Sequence, residues 1–152
     1  MTTHPAIAAG PLRPDDAALV YPLVRMIFPA LERGLWMRAA RRALRAGRYG
    51  RQGMLVARHG AAGRPCGVIS FHCDPDMRLG RVLTAEHFVA LTFGDESAVL
   101  EAFLPVLDAV ARRAGCGAVR VLLPRRAARL RAALAARGHA EAGEMLSCAL
   151  GG

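Results

Sequence analysis

The fold is decided by residues 81–139, which read RVLTAEHFVALTFGDESAVLEAFLPVLDAVARRAGCGAVRVLLPRRAARLRAALAARGH. This run predicts a long strand over residues 81–93, a helix over residues 95–114, a buried strand over residues 119–123 and a helix over residues 125–137. Gly115 and Gly117 are typical of a helix end, as is Gly138. Because almost no loop separates the four elements, they predict an α/β unit in which helices pack on a sheet.

Two helices are expected before the long strand. Asp15 is placed to cap the first, whose apolar positions fall at helical spacing at Leu19, Leu23, Met26 and Ile27. The second, over residues 30–46, brings apolar side chains near one face at Leu31, Leu35, Ala39 and Leu44. Another face carries an arginine stripe made of Arg38, Arg41, Arg42, Arg45 and Arg48. The stripe is either a solvated face or a docking surface for an acidic partner.

The remaining strands are short. Residues 6–9 predict an edge strand, residues 54–59 and 66–73 a hairpin that Asp74, Pro75 and Asp76 end, and residues 144–150 a last strand. No linker or repeat interrupts the chain. Residues 1–152 are therefore expected to form a single domain.

Composition limits the kinds of partner. All 21 Lys+Arg residues are arginine and the net charge is +9, which attracts acidic molecules. Nucleic-acid binding would rest on this charge alone, because an aromatic content of 5% without interleaved arginines offers no stacking platform. No basic leader and no apolar run of about 18 residues is present, so we expect a cytoplasmic protein without a membrane partner.

The four cysteines, Cys66, Cys73, Cys116 and Cys148, form no C-x-x-C pair. Free and mostly buried thiols are the favoured interpretation, with no metal. A metal site that uses Asp74 or Asp76 is the alternative.

The order strand, two helices, hairpin, long strand, helix, strand, helix, strand runs from residue 7 to residue 150. With the local sequences PLRPDD at residues 11–16, VARHG at residues 56–60 and ALAARGH at residues 133–139, it resembles the GNAT (Gcn5-related N-acetyltransferase) superfamily. The resemblance implies a mixed, mainly antiparallel sheet flanked by helices. It also implies acyl transfer from acetyl-CoA, or another acyl-CoA, to an amine.

Glu86 falls where histone-acetylating members of that family keep their catalytic base. Strand alternation would place it among Thr84, Phe88 and Ala90, where burial would make the carboxylate a stronger base; an exposed strand position is the alternative. His72 on the neighbouring strand is the reserve candidate. His87 is expected on the opposite face, as a core residue.

The resemblance assigns the thioester and pantetheine to the backbone of Ala90, Leu91, Thr92 and Phe93, and the phosphates to the helix start at Ser97, Ala98 and Val99. Two departures stand out. Asp95 and Glu96 replace the family's glycine-rich loop with charges that repel phosphate. Leu134 stands where the family usually has a tyrosine acid.

Two functions follow from these patterns. The first is an acyl-CoA-dependent N-acyltransferase acting on a small-molecule or peptide amine, with an acidic acceptor or an acyl-carrier-protein donor fitting the arginine stripe. The second is a non-catalytic GNAT-like binding module, which the altered loop and the missing tyrosine favour. Either form is compatible with a homodimer.

Overall fold

The computed structural model describes residues 6–48, 50–91 and 96–151. Along the chain the elements are β1 Ile7–Pro11, α1 Asp16–Ile27, α2 Arg33–Ala46, β2 Gln52–His59, β3 Pro65–Asp76, β4 Gly80–Ala90, α3 Glu96–Arg113, β5 Ala118–Val121 and α4 Ala128–Ala135. Within the described residues, none of the helices has both the length and the apolar character needed to cross a membrane.

The five strands form one sheet in the order of the sequence, β1-β2-β3-β4-β5. Neighbours are antiparallel from β1 to β4, and β4 pairs with β5 in parallel. A parallel pair needs a crossover connection, which α3 supplies. The predicted mixed, mainly antiparallel sheet flanked by helices is therefore confirmed.

Each face of the sheet carries its own core. On one face α3 and α4 pack against β2, β3 and β4, with Phe103, Leu107 and Leu83 fully buried. On the other face α1 and α2 cover the sheet, with Val20 and Trp36 packed near Val56, Val68 and Val89. The second face holds the candidate site described below, because α1 and α2 leave part of the sheet uncovered.

The first helix turns a different side inward than its spacing predicted. Of the four predicted core positions only Leu23 is buried, and α1 packs instead through Ala17, Val20 and Val24. Leu19, Met26 and Ile27 are more than half exposed. Apolar residues lie on two sides of this helix, so periodicity alone could not choose between them.

A buried ion pair determines which side of α1 faces the sheet. Asp16 in the first turn of α1 pairs with Arg58 of β2, and its Oδ2 also accepts a hydrogen bond of 2.7 Å from the Arg13 amide. Asp15, the predicted cap, makes no side-chain cap bond. The pair faces the sheet, so the residues one turn along from Asp16 face it too.

The second helix begins at Arg33 rather than at residue 30 and buries Trp36 and Ala40. Leu35, a predicted core position, is 52% exposed. The indole of Trp36 donates a hydrogen bond of 2.7 Å to the Ala17 carbonyl, which fixes α2 against α1. All five arginines of the stripe are exposed.

The predicted last strand is not formed. Residues 144–150 have neither helix nor strand structure, and Met145, Leu146 and Leu150 are largely exposed. A strand persists only when another strand pairs with it, and within the described part of the chain this run pairs with none.

The predicted hairpin of β2 and β3 is confirmed, but β3 continues through Asp74 and Pro75 to Asp76. Asp76 Oδ1 accepts hydrogen bonds from the amides of Arg78 and Leu79, which makes the turn into β4. The predicted long strand is present as β4 and ends at Ala90.

Candidate functional site

An irregularity in β4 defines the site. Val89 pairs with Val68 and Glu86 pairs with Ser70, so three steps along β4 match two steps along β3. The extra residue is a β-bulge, and within it His87 has φ 56°. Histidine tolerates this left-handed conformation better than a branched residue would.

The bulge reverses which face the following side chains occupy. Phe88 joins Leu83 and Ala85 in the core beneath α3, whereas Val89 faces α1 and α2. Glu86 therefore shares its face with Thr84, as predicted, but not with Phe88 or Ala90. The prediction for His87 was wrong, because its side chain is 60% exposed and lies beside Glu86.

Glu86, His72 and Asp74 form a chain of ionisable groups. Glu86 Oε1 lies 3.5 Å from His72 Nδ1, and His72 Nε2 lies 3.1 Å from Asp74 Oδ2. The exposed side-chain fraction rises from 28% at Glu86 to 38% at His72 and 64% at Asp74. The cluster thus leads from a half-buried carboxylate to solvent, and the two predicted catalytic candidates are neighbours.

The bulge histidine is held in one orientation. Ser70 Oγ donates a hydrogen bond of 3.0 Å to the Glu86 carbonyl and lies 2.8 Å from His87 Nδ1. A hydroxyl has one proton, so His87 Nδ1 must donate to Ser70 when Ser70 donates to Glu86. Nε2 of neutral His87 then carries the free lone pair. The ring also contacts Phe28 edge-on, with centroids 5.9 Å apart.

A cavity of about 650 Å³ opens between α1, α2 and the sheet, and we call it the apolar cavity. Glu86, His72, His87 and Ser70 lie on its sheet side, and Arg42 and Gln52 also line it. Most other lining side chains are apolar or aromatic, among them Phe28, Leu31, Leu35, Trp36, Val68 and Phe71. Arg42, which lies on α2, brings one residue of the arginine stripe to this cavity.

A second cavity of about 280 Å³ lies towards β5, and we call it the acidic cavity. Asp74, Asp76, Thr84, Arg120 and Met145 are among its lining residues. Backbone amide donors, followed by Arg120, hold the pKa of Asp76 below its ordinary value. His72 and Glu86 line both cavities, so the ionisable cluster stands where they meet.

On its other edge β4 is open next to the bulge. β5 pairs with β4 only from Val82 to Ala85, and the Leu122 amide then donates to the Ala85 carbonyl. Among the described residues, positions 86–90 of β4 pair only with β3. An extended ligand with amide groups can therefore add along this edge, which leads to Ala90, the first of the residues to which the resemblance assigns the thioester and pantetheine of acyl-CoA.

The predicted cofactor residues occupy different environments. Ala90 is half-buried at the end of β4, and the Leu91 amide already donates to the Cys66 carbonyl at 2.8 Å. Ser97 and Ala98 are half-buried in the first turn of α3, and Val99 is fully buried in the core. Thr92 and Phe93, with Asp95 of the acidic loop, lie outside the described residues.

The first turn of α3 lies close to the sheet because β3 has a glycine there. A Cβ on Gly67 would lie 2.5 Å from Cγ1 of Val99. Glycine removes that clash and lets the start of the helix pack against β3 at the position that pairs with Ala90, the last residue of β4. Glu96 in that turn is exposed and carries the charge that opposes a phosphate.

An acid at the position of the family's tyrosine is missing. Leu134 is buried in the core between α3 and α4. Tyr21 donates its hydroxyl to the Leu31 carbonyl at 2.9 Å, and Tyr49 lies outside the described residues. Protonation of a leaving thiolate would therefore fall to water or to another group.

The cysteines are free thiols, with Cys66 and Cys73 buried, Cys116 half-buried and Cys148 exposed. Burial raises the pKa of Cys66, and burial together with the neighbouring Cys116 raises the pKa of Cys73 to about 12. Both buried thiols are therefore protonated and poorly nucleophilic at neutral pH. No group of three or more metal-ligating side chains is found in the described ranges.

Sequence reasoning missed His87, Ser70 and the walls of the apolar cavity. The bulge left no periodic signal, because residues 82–85 of β4 are buried on both faces and do not alternate. Trp36, the chain's single tryptophan, could have been recognised from its position in an amphipathic helix.

No protein-family model matches the chain, and no curated protein matches it by sequence. Solved structures match nearly all of it. An acetyltransferase from Trypanosoma brucei is 20% identical with a TM-score of 0.71, and the match covers 95% of this chain and 99% of that one. A ribosomal-protein-alanine N-acetyltransferase from Brucella melitensis is 19% identical with a TM-score of 0.70, at 95% and 99% coverage.

An aminoglycoside N-acetyltransferase in complex with CoA is 12% identical with a TM-score of 0.78, and the match covers 95% of this chain and 94% of that one. The identities are low while the coverage is nearly complete in both directions, so the likeness is one of fold. The chain has the fold of the GNAT superfamily, the family that its sequence resembles.

Proposed function

We propose that the protein is an acyl-CoA-dependent N-acetyltransferase that transfers an acetyl group to an amine. One observation carries the proposal. Glu86 sits at the bulge, where a cavity large enough for an acceptor meets the stretch of β4 that β5 leaves unpaired. Acceptor and donor can therefore approach the same carboxylate from two sides.

Glu86 takes the role of general base. An amine enters as an ammonium ion, and the carboxylate first binds this cation and then accepts its proton. His72 at 3.5 Å accepts the proton from Glu86, and Asp74 at 3.1 Å stabilises the imidazolium. Because Asp74 is well exposed, the proton leaves to solvent on the side away from the apolar cavity.

The donor is held mainly by the backbone. Acetyl-CoA supplies a thioester whose carbonyl carbon is open to attack by a neutral amine. Residues 86–90 offer an unpaired strand edge to its pantetheine amides, and Ser97 and Ala98 lie at the helix start that would face its phosphates. Glu96 weakens the phosphate contact, so we expect the donor to bind less tightly than the open edge alone would allow.

The solved structures support this proposal without naming the substrate. The similar solved structures include an aminoglycoside N-acetyltransferase and a ribosomal-protein-alanine N-acetyltransferase, and the first of these was solved with CoA. Their acceptors share an amine and little else.

The test is acetyl-CoA consumption with a panel of primary amines, with mass spectrometry to detect the acetylated product. The wild-type protein should form the N-acetylated amine, and Glu86→Gln should lower turnover by at least about 100-fold. Glu101→Gln is the matched control, because Glu101 is exposed on α3 and lines neither cavity. Equal rates for all three proteins, or no product with any amine, would refute the proposal.

A further inference from the structure

The walls of the apolar cavity have no role in moving a proton or in holding acyl-CoA. Phe28 follows the last turn of α1, Leu35 and Trp36 lie on α2, and Val68 and Phe71 belong to β3. Three separate elements thus bring apolar side chains around one space in front of Glu86. Such an arrangement recognises the body of a ligand rather than its reacting group.

Two of these side chains are unusually exposed for their type. Leu35 is 52% exposed and Phe28 is 37% exposed, although both line the cavity. Burying that surface under an apolar ligand would be favourable in proportion to the area removed from water. An acceptor with a sugar-like, hydroxylated body would instead leave its hydroxyl groups without partners against these walls.

The charges in the cavity point to a single cationic group. Glu86 is the one carboxylate among the described residues that line it. The two other carboxylates of the neighbouring acidic cavity, Asp74 beside His72 and Asp76 beside Arg120, do not line the apolar cavity. Arg42 adds a positive charge to the lining of the apolar cavity. A polyamine would therefore bring more cations than the site can neutralise.

We infer that the acceptor is a primary amine that carries one aromatic or branched aliphatic group and no second cation. Its ammonium group pairs with Glu86, and its apolar group lies among Phe28, Leu35 and Trp36. The inference rests on the proposed function, because only a transferase has an acceptor. The binding of such an amine can nevertheless be measured without any acyl-CoA. A volume of about 650 Å³ is enough for one ring on a short chain.

The cavity contains its own reporter. Trp36 is the only tryptophan of the chain and lines the cavity, so its fluorescence should change when a ligand enters. We would titrate the protein, without acyl-CoA, with phenethylamine, ethanolamine and spermidine. The first carries an aromatic ring on a two-carbon chain, the second carries a hydroxyl group on the same two-carbon chain, and the third has several cations.

Two variants complete the design. Leu35→Gln places a polar group on the cavity wall at a position already half exposed, so the fold should tolerate it. Leu19→Gln is the matched control, because Leu19 is 61% exposed on α1 and lies outside the cavity lining. Circular dichroism would check that both variants fold.

Phenethylamine should bind at least about 30-fold more tightly than ethanolamine, and it should also bind more tightly than spermidine. Leu35→Gln should weaken phenethylamine binding about 10-fold and leave ethanolamine unchanged, whereas Leu19→Gln should change neither. Equal affinities for the three amines, a preference for spermidine, or no fluorescence response and no rise in unfolding temperature with phenethylamine would overturn the inference.

The same probes separate this inference from the proposed function. If phenethylamine binds as expected and no amine of the panel is acetylated, the transferase proposal fails while the site for an apolar amine stands. If ethanolamine or spermidine is acetylated in preference to phenethylamine, the transferase stands and the inferred acceptor class is wrong.

Discussion

The pair of Glu86 and His72 allows the most informative mutational test. If Glu86 takes the amine proton, Glu86→Gln should lower kcat by about 10² to 10⁴-fold, the range that a positioned general base contributes. His72→Asn should cost only about 10-fold. Glu86 is 28% exposed, so water can take its proton when the histidine at 3.5 Å is gone.

The double variant should be no slower than Glu86→Gln alone, because His72 acts on a proton that Glu86 must first accept. Turnover would be measured at saturating amine and acetyl-CoA, with binding of both followed separately and with Glu101→Gln as the control. Losses that multiply in the double variant would show two independent roles and refute the proton route. An unchanged rate in Glu86→Gln would instead favour His87 as the base, because its Nε2 is free to accept a proton.

Three further predictions concern the donor loop, the arginine stripe and the buried ion pair. Asp95→Asn with Glu96→Gln should tighten acetyl-CoA binding several-fold by removing charges that repel phosphate, and titration calorimetry would detect it; unchanged affinity would mean that the phosphates bind elsewhere. The second prediction replaces Arg38, Arg41 and Arg45 of the stripe by glutamine. If the stripe docks an acidic carrier or peptide, association with a glutamate-rich peptide, measured at two ionic strengths, should become slower and less dependent on salt. Identical kinetics for the wild type and the triple variant would mean that the stripe is a solvated face. Asp16→Ala should lower the free energy of unfolding by about 3 to 5 kcal/mol in urea denaturation, because Arg58 is left buried and unpaired; a loss below about 1 kcal/mol would mean that water reaches the guanidinium.

Much of the fold could be predicted because most elements carry their own signal. The hairpin of β2 and β3, the long strand β4 and the helix α3 were each bounded by glycine, proline or a change of periodicity. Buried positions on α3 follow the helical period, and Phe103 and Leu107 lie in the core. Local pattern and tertiary packing agree in these segments.

Prediction failed where tertiary contacts determine the structure of a segment. The face of α1 depends on the pair of Asp16 and Arg58, which are 42 residues apart in sequence, and periodicity cannot detect such a contact. Residues 144–150 are largely apolar, but an isolated segment needs a pairing partner to become a strand. Both errors come from reading one segment without its neighbours.

The candidate site was predicted in part. Glu86 and His72 lie together because antiparallel neighbours on one face meet across strands, which sequence reasoning can anticipate. The bulge that exposes His87 and turns Phe88 inward adds one residue to one strand, and no residue type in that run requires it. The apolar cavity was also beyond prediction, since it forms between three elements that are distant in sequence.

The most direct test of the central claim, that this fold binds acyl-CoA along the open edge of β4, is the unfolding temperature of the purified protein with and without acetyl-CoA. At about 100 times its dissociation constant the ligand should raise that temperature by about 5 to 10 °C. ADP at the same concentration serves as the control, because it carries the adenosine pyrophosphate of CoA without the pantetheine arm and a protein of net charge +9 can bind anions loosely. A rise with acetyl-CoA that ADP does not reproduce is the predicted result. An equal rise with both ligands, or no rise with acetyl-CoA at the highest soluble concentration, would contradict it.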